Sequence, residues 1–399
     1  MKGREAVRGK ERVRSMRVKL TRRGRWLVPV TAVAVTGGVI AGLQIPAAQA
    51  TPALPAKTPA QLLAQVDSTA KVPPLTGTVV ETTSLGLPQL PHMADPTSLS
   101  SLITGSHTLK VYYQDAQHYR LAVPQSLSET DVIREANKLW LWDSTSNSVA
   151  EYTWAKGALA NNGKHVRAQL PTMPALTPQQ AANEVLKAVG KTTTVSVQAN
   201  VLVAGEPAYQ LVLAPKDPRS LVGKVVIAID GKYGVPLRLQ VFAKKATSPA
   251  FQVGYTDISF VPPAPANLQF TPPPGAKLTV HNLGNGRSAT GANRATMSGA
   301  GYGGYGSGWL AVAEIPQSAL NEAMGGNPAP GNQTGMGAIG GESAAVLHAL
   351  VGAAKPVHGS WGSGTLLTTS LMSMLITNGE IYVGAVQPSV LYAAVGHAH

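Results

Sequence analysis

The sequence has 399 residues, among them 41 Gly, 30 Pro and only 4 Phe, with no Cys and a formal net charge of +13. The lack of Cys excludes disulfides, thiolate metal sites, a Cys nucleophile and lipid attachment at a lipobox Cys. The charge makes no case for nucleic acid: eleven Lys and Arg precede Trp26, and from Thr51 on 22 basic residues face 18 acidic ones, with no basic stripe among aromatics.

Residues 1–25 are basic, 26–43 are apolar though interrupted by Pro29, Gly37 and Gly38, and Ala48-Gln49-Ala50 follows. A basic segment, an apolar segment and an A-x-A site predict a secretory signal over 1–50 with cleavage after Ala50. An uncleaved anchor is the alternative, and Met16 could serve as the start, since 16–50 alone form a complete signal. The expected location is outside the cytoplasmic membrane, extracellular or on the cell envelope.

Residues 58–70 form an expected helix, with Thr58 as N-cap, Pro59 in the first turn and Leu62, Leu63 and Val66 as its apolar stripe. Six strands are predicted next, at 75–83, 108–114, 119–123, 130–134, 138–143 and 148–154. The segment 84–106 is too rich in Pro to pair and is expected as a long excursion. After a loop at 155–176, a second helix is expected over 177–189, with Thr177 as N-cap and Gln180 three residues on. Five strands follow, at 193–203, 207–214, 224–230, 235–242 and 251–261, each of period two and separated by Gly, Asp or Pro turns. They predict an antiparallel meander with one buried face, the upstream strands being the other half of the same sheet.

The stretches 282–308 and 325–341 consist largely of Gly, Ser, Asn and Ala, and read as flexible linkers. Between and after them are predicted a strand at 309–315 running into 316–324, a helix at 342–354, a hairpin of 365–377 with 380–386 around Asn378-Gly379, and a final helix at 388–395. Residues 312–320 and 382–391 both read strand, Pro, short helix, and together suggest one small second domain over 309–399.

Catalytic signatures are missing. There is no H-E-x-x-H, G-x-S-x-G or Walker A, and Gly301-x-Gly303-x-x-Gly306 matches a dinucleotide fingerprint without the strand and helix that give it meaning. Glu129, Asp131 and Glu135 are the tightest carboxylate cluster and are expected on a solvated edge. His397 and His399 read as a solvated tail. The expectation is a non-enzyme with no cofactor and no metal site. Apolar surface is what the chain has in excess: Leu139-Trp140-Leu141-Trp142 is apolar on both faces of one strand, with Trp154, Tyr112 and Tyr119 nearby. Such residues serve either as ordinary core beneath the helices or as the lining of a cavity for an acyl chain.

The order helix, six strands, helix, five strands, ending in Leu268-Gln269-Phe270-Thr271-Pro272-Pro273-Pro274-Gly275, resembles the lipoprotein-carrier superfamily of LolA, LolB and RseB. Further echoes are Leu75-x-Gly77-x-Val79-x-Glu81, Lys138–Asp143, Tyr209-Gln210-Leu211-Val212-Leu213-x-Pro215 and Ile227-x-Ile229-Asp230. The resemblance is to exported proteins of this kind from high-GC Gram-positive bacteria and covers about residues 55–280. It implies a mainly β (α+β) fold, an unclosed antiparallel half-barrel of about 11 strands over 51–280 covered by helices, with the small α/β domain following the 281–308 linker. A C-terminal strand, Pro and helix is similar in plan to the second domain of RseB. The resemblance implies an apolar cavity that binds a lipid or lipidated protein, lined by Leu63, Val79, Val111, Leu121, Trp140, Trp142, Leu211 and Leu239. It implies as the alternative a regulator of an extracytoplasmic-function sigma factor that holds a membrane-anchored anti-sigma factor or another envelope protein. Nucleic acid is not an expected partner.

Overall fold

The period-two runs are strands of one large open sheet. The computed structural model describes residues 54–67, 72–86, 104–156, 177–187, 189–283, 303–317 and 352–397. The expected signal (1–50), most of the 84–106 and 155–176 excursions, the whole 325–341 stretch, and most of the helix expected at 342–354 and of the 316–324 segment lie outside them.

The first meander is β1 (Leu75–Ser84), β2 (Thr104–Asp115), β3 (His118–Pro124), β4 (Glu129–Glu135), β5 (Lys138–Asp143) and β6 (Ser148–Trp154). The second is β7 (Thr193–Val203), β8 (Glu206–Pro215), β9 (Val222–Asp230), β10 (Pro236–Ala243) and β11 (Phe251–Ser259). Pairing of β1 with β11, antiparallel from Thr76↔Ser259 to Thr83↔Phe251, joins the meanders edge to edge. With a further strand, β12 (Lys277–Leu283), the order is β12-β6-β5-β4-β3-β2-β1-β11-β10-β9-β8-β7. The sheet curls so far that β7 touches β11, four strands away in that order. This is the unclosed half-barrel expected, with twelve strands rather than eleven.

Two short helices cover one face. In α1 (Pro59–Asp67) the Thr58 hydroxyl accepts from the Gln61 N–H at 3.3 Å, and the Gln61 side chain accepts from the Thr58 N–H at 2.8 Å. Thr177 and Gln180 repeat this reciprocal cap at the start of α2 (Pro178–Lys187). Leu62 and Val66 of α1 are fully buried, and α2 rests on β10 and β11 through Ala181 and Ala182, whose small side chains let the helix lie close.

The strand β12 was not expected. Between β11 and β12 the chain runs through Pro262, Pro263, Pro265 and Pro272–Pro274, cannot pair there, and crosses the face opposite the helices. It then pairs parallel with β6, from Lys277↔Ser148 to Leu283↔Trp154.

A second sheet has the order β13-β14-β18-β17-β16-β15: β13 (Gly303–Tyr305), β14 (Val312–Pro316), β15 (Lys355–Gly359), β16 (Gly362–Thr368), β17 (Ser373–Thr377) and β18 (Glu380–Gly384). Asn378 and Gly379, with φ of 52° and 77°, make the β17–β18 turn, as the Asn-Gly pair predicts. The strand expected at 365–377 is instead two, broken where the Thr369 hydroxyl accepts from the Met372 N–H at 3.0 Å. Strand β15 was not foreseen. Both described ends of the 281–308 segment are ordered: β12 runs to Leu283, and β13 and a 3₁₀ turn (Gly308–Leu310) begin the second sheet. Helix α3 (Pro388–His397) packs Val390, Leu391, Ala394 and Val395 onto that sheet. The two sheets are fastened by a bridge between Ser220 and Val386 and by Leu221 N–H to Ala385 O at 2.9 Å.

Gly77 of β1 faces Ile258 of β11. A Cβ there would lie 2.6 Å from the Asp257 carbonyl oxygen and 2.8 Å from the Tyr255 ring. Gly77→Ala is therefore expected to force the two strands apart and to lower stability by about 1–3 kcal/mol, read as a fall in the urea unfolding midpoint.

Candidate functional site

Strand alternation sorts the predicted lining residues onto two faces. Val79, Val111, Leu121, Leu211 and Leu239 are all buried in the main core on the helix-covered face, and Leu63 of α1 packs against it. Trp140 and Trp142 are not with them. They lie on the opposite, outer face, where Trp140 joins Ile133 and Val149 in a separate cluster with Trp142, Phe270 and Ala276 against it. The reason is register: β4 and β5 pair so that Val132 meets Leu141 while Ile133 meets Trp140 and Asp131 meets Trp142. The inner-face residues of β5 are therefore Leu139 and Leu141. The sequence did hold a signal for this. The acidic residues of β4 are all odd-numbered, and the two-residue Ala136-Asn137 loop sets the register that places Trp140 and Trp142 beside them.

The inner face has two halves. Helices α1 and α2 make their main contacts with β7, β10 and β11. Across β2–β6 the same face presents Leu109, Val111, Leu121, Val123, Val132, Leu139, Tyr152 and Trp154, a largely apolar surface on which the Arg134 guanidinium lies 5.4 Å from the centre of the Trp154 ring. Tyr113, Tyr119 and Leu141 lie half-buried at its margin.

The outer face carries the unusual electrostatics. Asp131 is fully buried, with the Arg120 guanidinium donating to it and, at 3.1 Å, to Glu129 Oε1. The Trp140 and Trp142 rings lie 5.6 and 6.2 Å from Phe270, which the Pro-rich crossing lays over them. Asp131 Oδ1 and both indole N–H groups have no hydrogen-bond partner among the described residues. Burial pushes the Asp131 carboxyl up to about 7, with neighbouring Glu129 adding to the shift and Arg120 opposing it. Lys138, over the Trp140 ring, pairs with Glu151 at 2.9 Å. The expected solvated edge of Glu129, Asp131 and Glu135 is thus corrected: Glu135 is exposed, but the crossing segment shelters Asp131.

Among the described residues no cluster of three or more His, Asp or Glu could hold a metal. No helix among them is long and apolar enough to cross a membrane. Two cavities, of about 410 and 390 Å³, lie against the second sheet rather than on the inner face.

No protein-family model and no curated protein matches the chain. Among solved structures it is similar to a chain of the MucA/MucB complex of Pseudomonas aeruginosa, with 13% identity and a TM-score of 0.40 over 84% of this chain and 96% of that one. It is also similar to an uncharacterized conserved protein from Thermus thermophilus, at 12% identity and a TM-score of 0.31, over 56% of this chain and 98% of that one. A LolA superfamily protein from Nitrosomonas europaea is similar at 10% identity and a TM-score of 0.22, over 54% of this chain and 99% of that one.

Because the Asp131 carboxyl is raised in the folded state, folding favours its protonated form. Its contribution to stability is complete below about pH 4 and is lost as pH rises to about 7. In thermal melts across that range, Asp131→Asn is expected to flatten the decline; an unchanged decline would place the titrating proton elsewhere.

Proposed function

We propose that the protein is a non-catalytic, exported binder of an acyl chain, carried by a lipid or a lipidated protein, and that the chain lies on the inner face of β2–β6. The observation that supports this reading is the division of the inner face: α1 and α2 make their main contacts with β7, β10 and β11, while the part across β2–β6 is equally apolar and buried but lies away from those contacts. A curved sheet with helices over one half is suited to hold a flexible apolar chain over the other. At about 0.8 kcal/mol per buried CH₂, a 14-carbon chain would contribute on the order of 10 kcal/mol before the cost of ordering it.

Native mass spectrometry of the protein purified without detergent tests the reading. A reproducible mass excess that solvent extraction removes as lipid is expected. Leu141→Lys, at the half-buried margin of the inner face, is expected to lose most of that excess, whereas Trp142→Phe, on the outer face, keeps it, with circular dichroism used to check that both variants fold. A bare mass together with no uptake of offered lipids would sink the acyl-chain reading. It would favour instead capture of a membrane-anchored protein such as an anti-sigma factor, detected by pull-down on the full chain.

A further inference from the structure

The junction of the two sheets carries a second, chemically different site. Its walls come from both sides: Thr192, Asp217 and Arg219 from the loops flanking β7 and β9, and Tyr305, Ser307 and Trp309 from the start of the second sheet. The cavity of about 390 Å³ falls in the range of small-molecule sites, which occur preferentially where domains meet. It is held open by bonds that need no ligand. Gln387 N–H donates to Arg219 O at 2.7 Å, and the Trp309 indole N–H donates to the Thr193 hydroxyl at 2.7 Å.

The lining selects the ligand class. Arg219 grips Asp217 with two parallel bonds, Nε to Oδ1 at 3.1 Å and Nη2 to Oδ2 at 2.8 Å. Arg219 holds the Asp217 carboxyl down at about 2, so the pair stays ionised and its two charges cancel. An anion would meet the carboxylate and a cation the guanidinium, while an acyl chain would strand both. What remains is a neutral ligand with many hydroxyls, which can use the outward lone pairs and N–H groups of the pair while lying against the Tyr305 and Trp309 rings. The site also continues. Tyr305 stacks on His397 with ring centres 5.2 Å apart, and His397 lines the neighbouring cavity of about 410 Å³, where Trp361 and Tyr392 stack at 5.0 Å. Val390 borders the first cavity, and Ala393, Gly396 and His397 border the second, so both open along α3.

We propose that this aromatic trough, from the Asp217–Arg219 pair to the Trp361–Tyr392 stack, binds a linear uncharged oligosaccharide, with one sugar unit in each cavity. The site is separate from the inner face of the half-barrel and does not depend on lipid binding there.

Calorimetric titration of the full protein with chito-oligosaccharides and malto-oligosaccharides of one to six units tests it. Saturable binding that tightens about tenfold or more between one unit and three is expected for at least one series. The double variant Asp217→Asn/Arg219→Gln, at a pair where Arg219 is exposed, Asp217 is half-buried and an asparagine can still accept the backbone N–H of residue 219, should retain the wild-type melting temperature and weaken that binding about tenfold. It should leave any lipid load unchanged. No saturation by about 10 mM in either series would overturn the proposal, as would binding independent of chain length. Inorganic phosphate competing as well as the sugar would also overturn it and mark an anion site.

Discussion

Everything else in this fold depends on the pairing of β1 with β11. Each meander alone is a sheet with two free edges and one apolar face too flat to enclose anything. Edge-to-edge pairing fuses them, and the resulting sheet is long enough to curl until β7 reaches β11. Only then do Val79, Leu121 and Leu211, on strands from both meanders, share one interior. The close approach depends on Gly77, whose missing side chain leaves room for the Asp257 carbonyl and the Tyr255 ring.

The outer face shows how the same strands can store a different kind of chemistry. Curvature turns the outer side of β4–β6 toward a Pro-rich segment that carries no backbone donors at several positions and cannot pair with the sheet. That segment contributes Phe270 instead, and its cover removes water from around Asp131. The protein therefore has one face built almost wholly of apolar side chains and another where a carboxyl and a guanidinium are kept close beneath aromatic rings. Burying an ion pair in this way seldom gains net stability. The carboxyl's preference for its proton follows directly from that.

Most of the half-barrel was legible in the sequence because period-two alternation and Gly, Asp and Pro turns are local signals. Ten of the eleven expected strand positions shift by only a few residues at either end, and β2 extends by four at its start. The reciprocal Thr–Gln caps of α1 and α2 and the Asn378-Gly379 turn were also readable, since each is satisfied within four residues. The failures share a cause. Strand β12 pairs with a partner far away in sequence and in parallel, so no turn announces it. The faces of Trp140 and Trp142 could not be read from β5, whose alternation is erased by apolar residues on both sides, and needed the charges of neighbouring β4. The burial of Asp131 is set by the crossing of residues 260–276, a tertiary event. The junction site escaped for the same reason: Arg219 and Trp309 are ordinary residues until the second sheet docks.

The parallel pairing of β12 with β6 also fixes an order of events in time. A ribosome makes β1 to β6 as a continuous meander of hairpins, which can pair as they emerge. The outer edge of β6 must then wait: Thr153 bonds to Asn282, 129 residues later in the chain. During that interval a strand bearing Tyr152 and Trp154 presents its unsatisfied backbone to whatever is nearby. The last strand of the half-barrel is thus the cap of the first meander, and the chain reaches a safely closed edge only when nearly all of the large sheet has been synthesised.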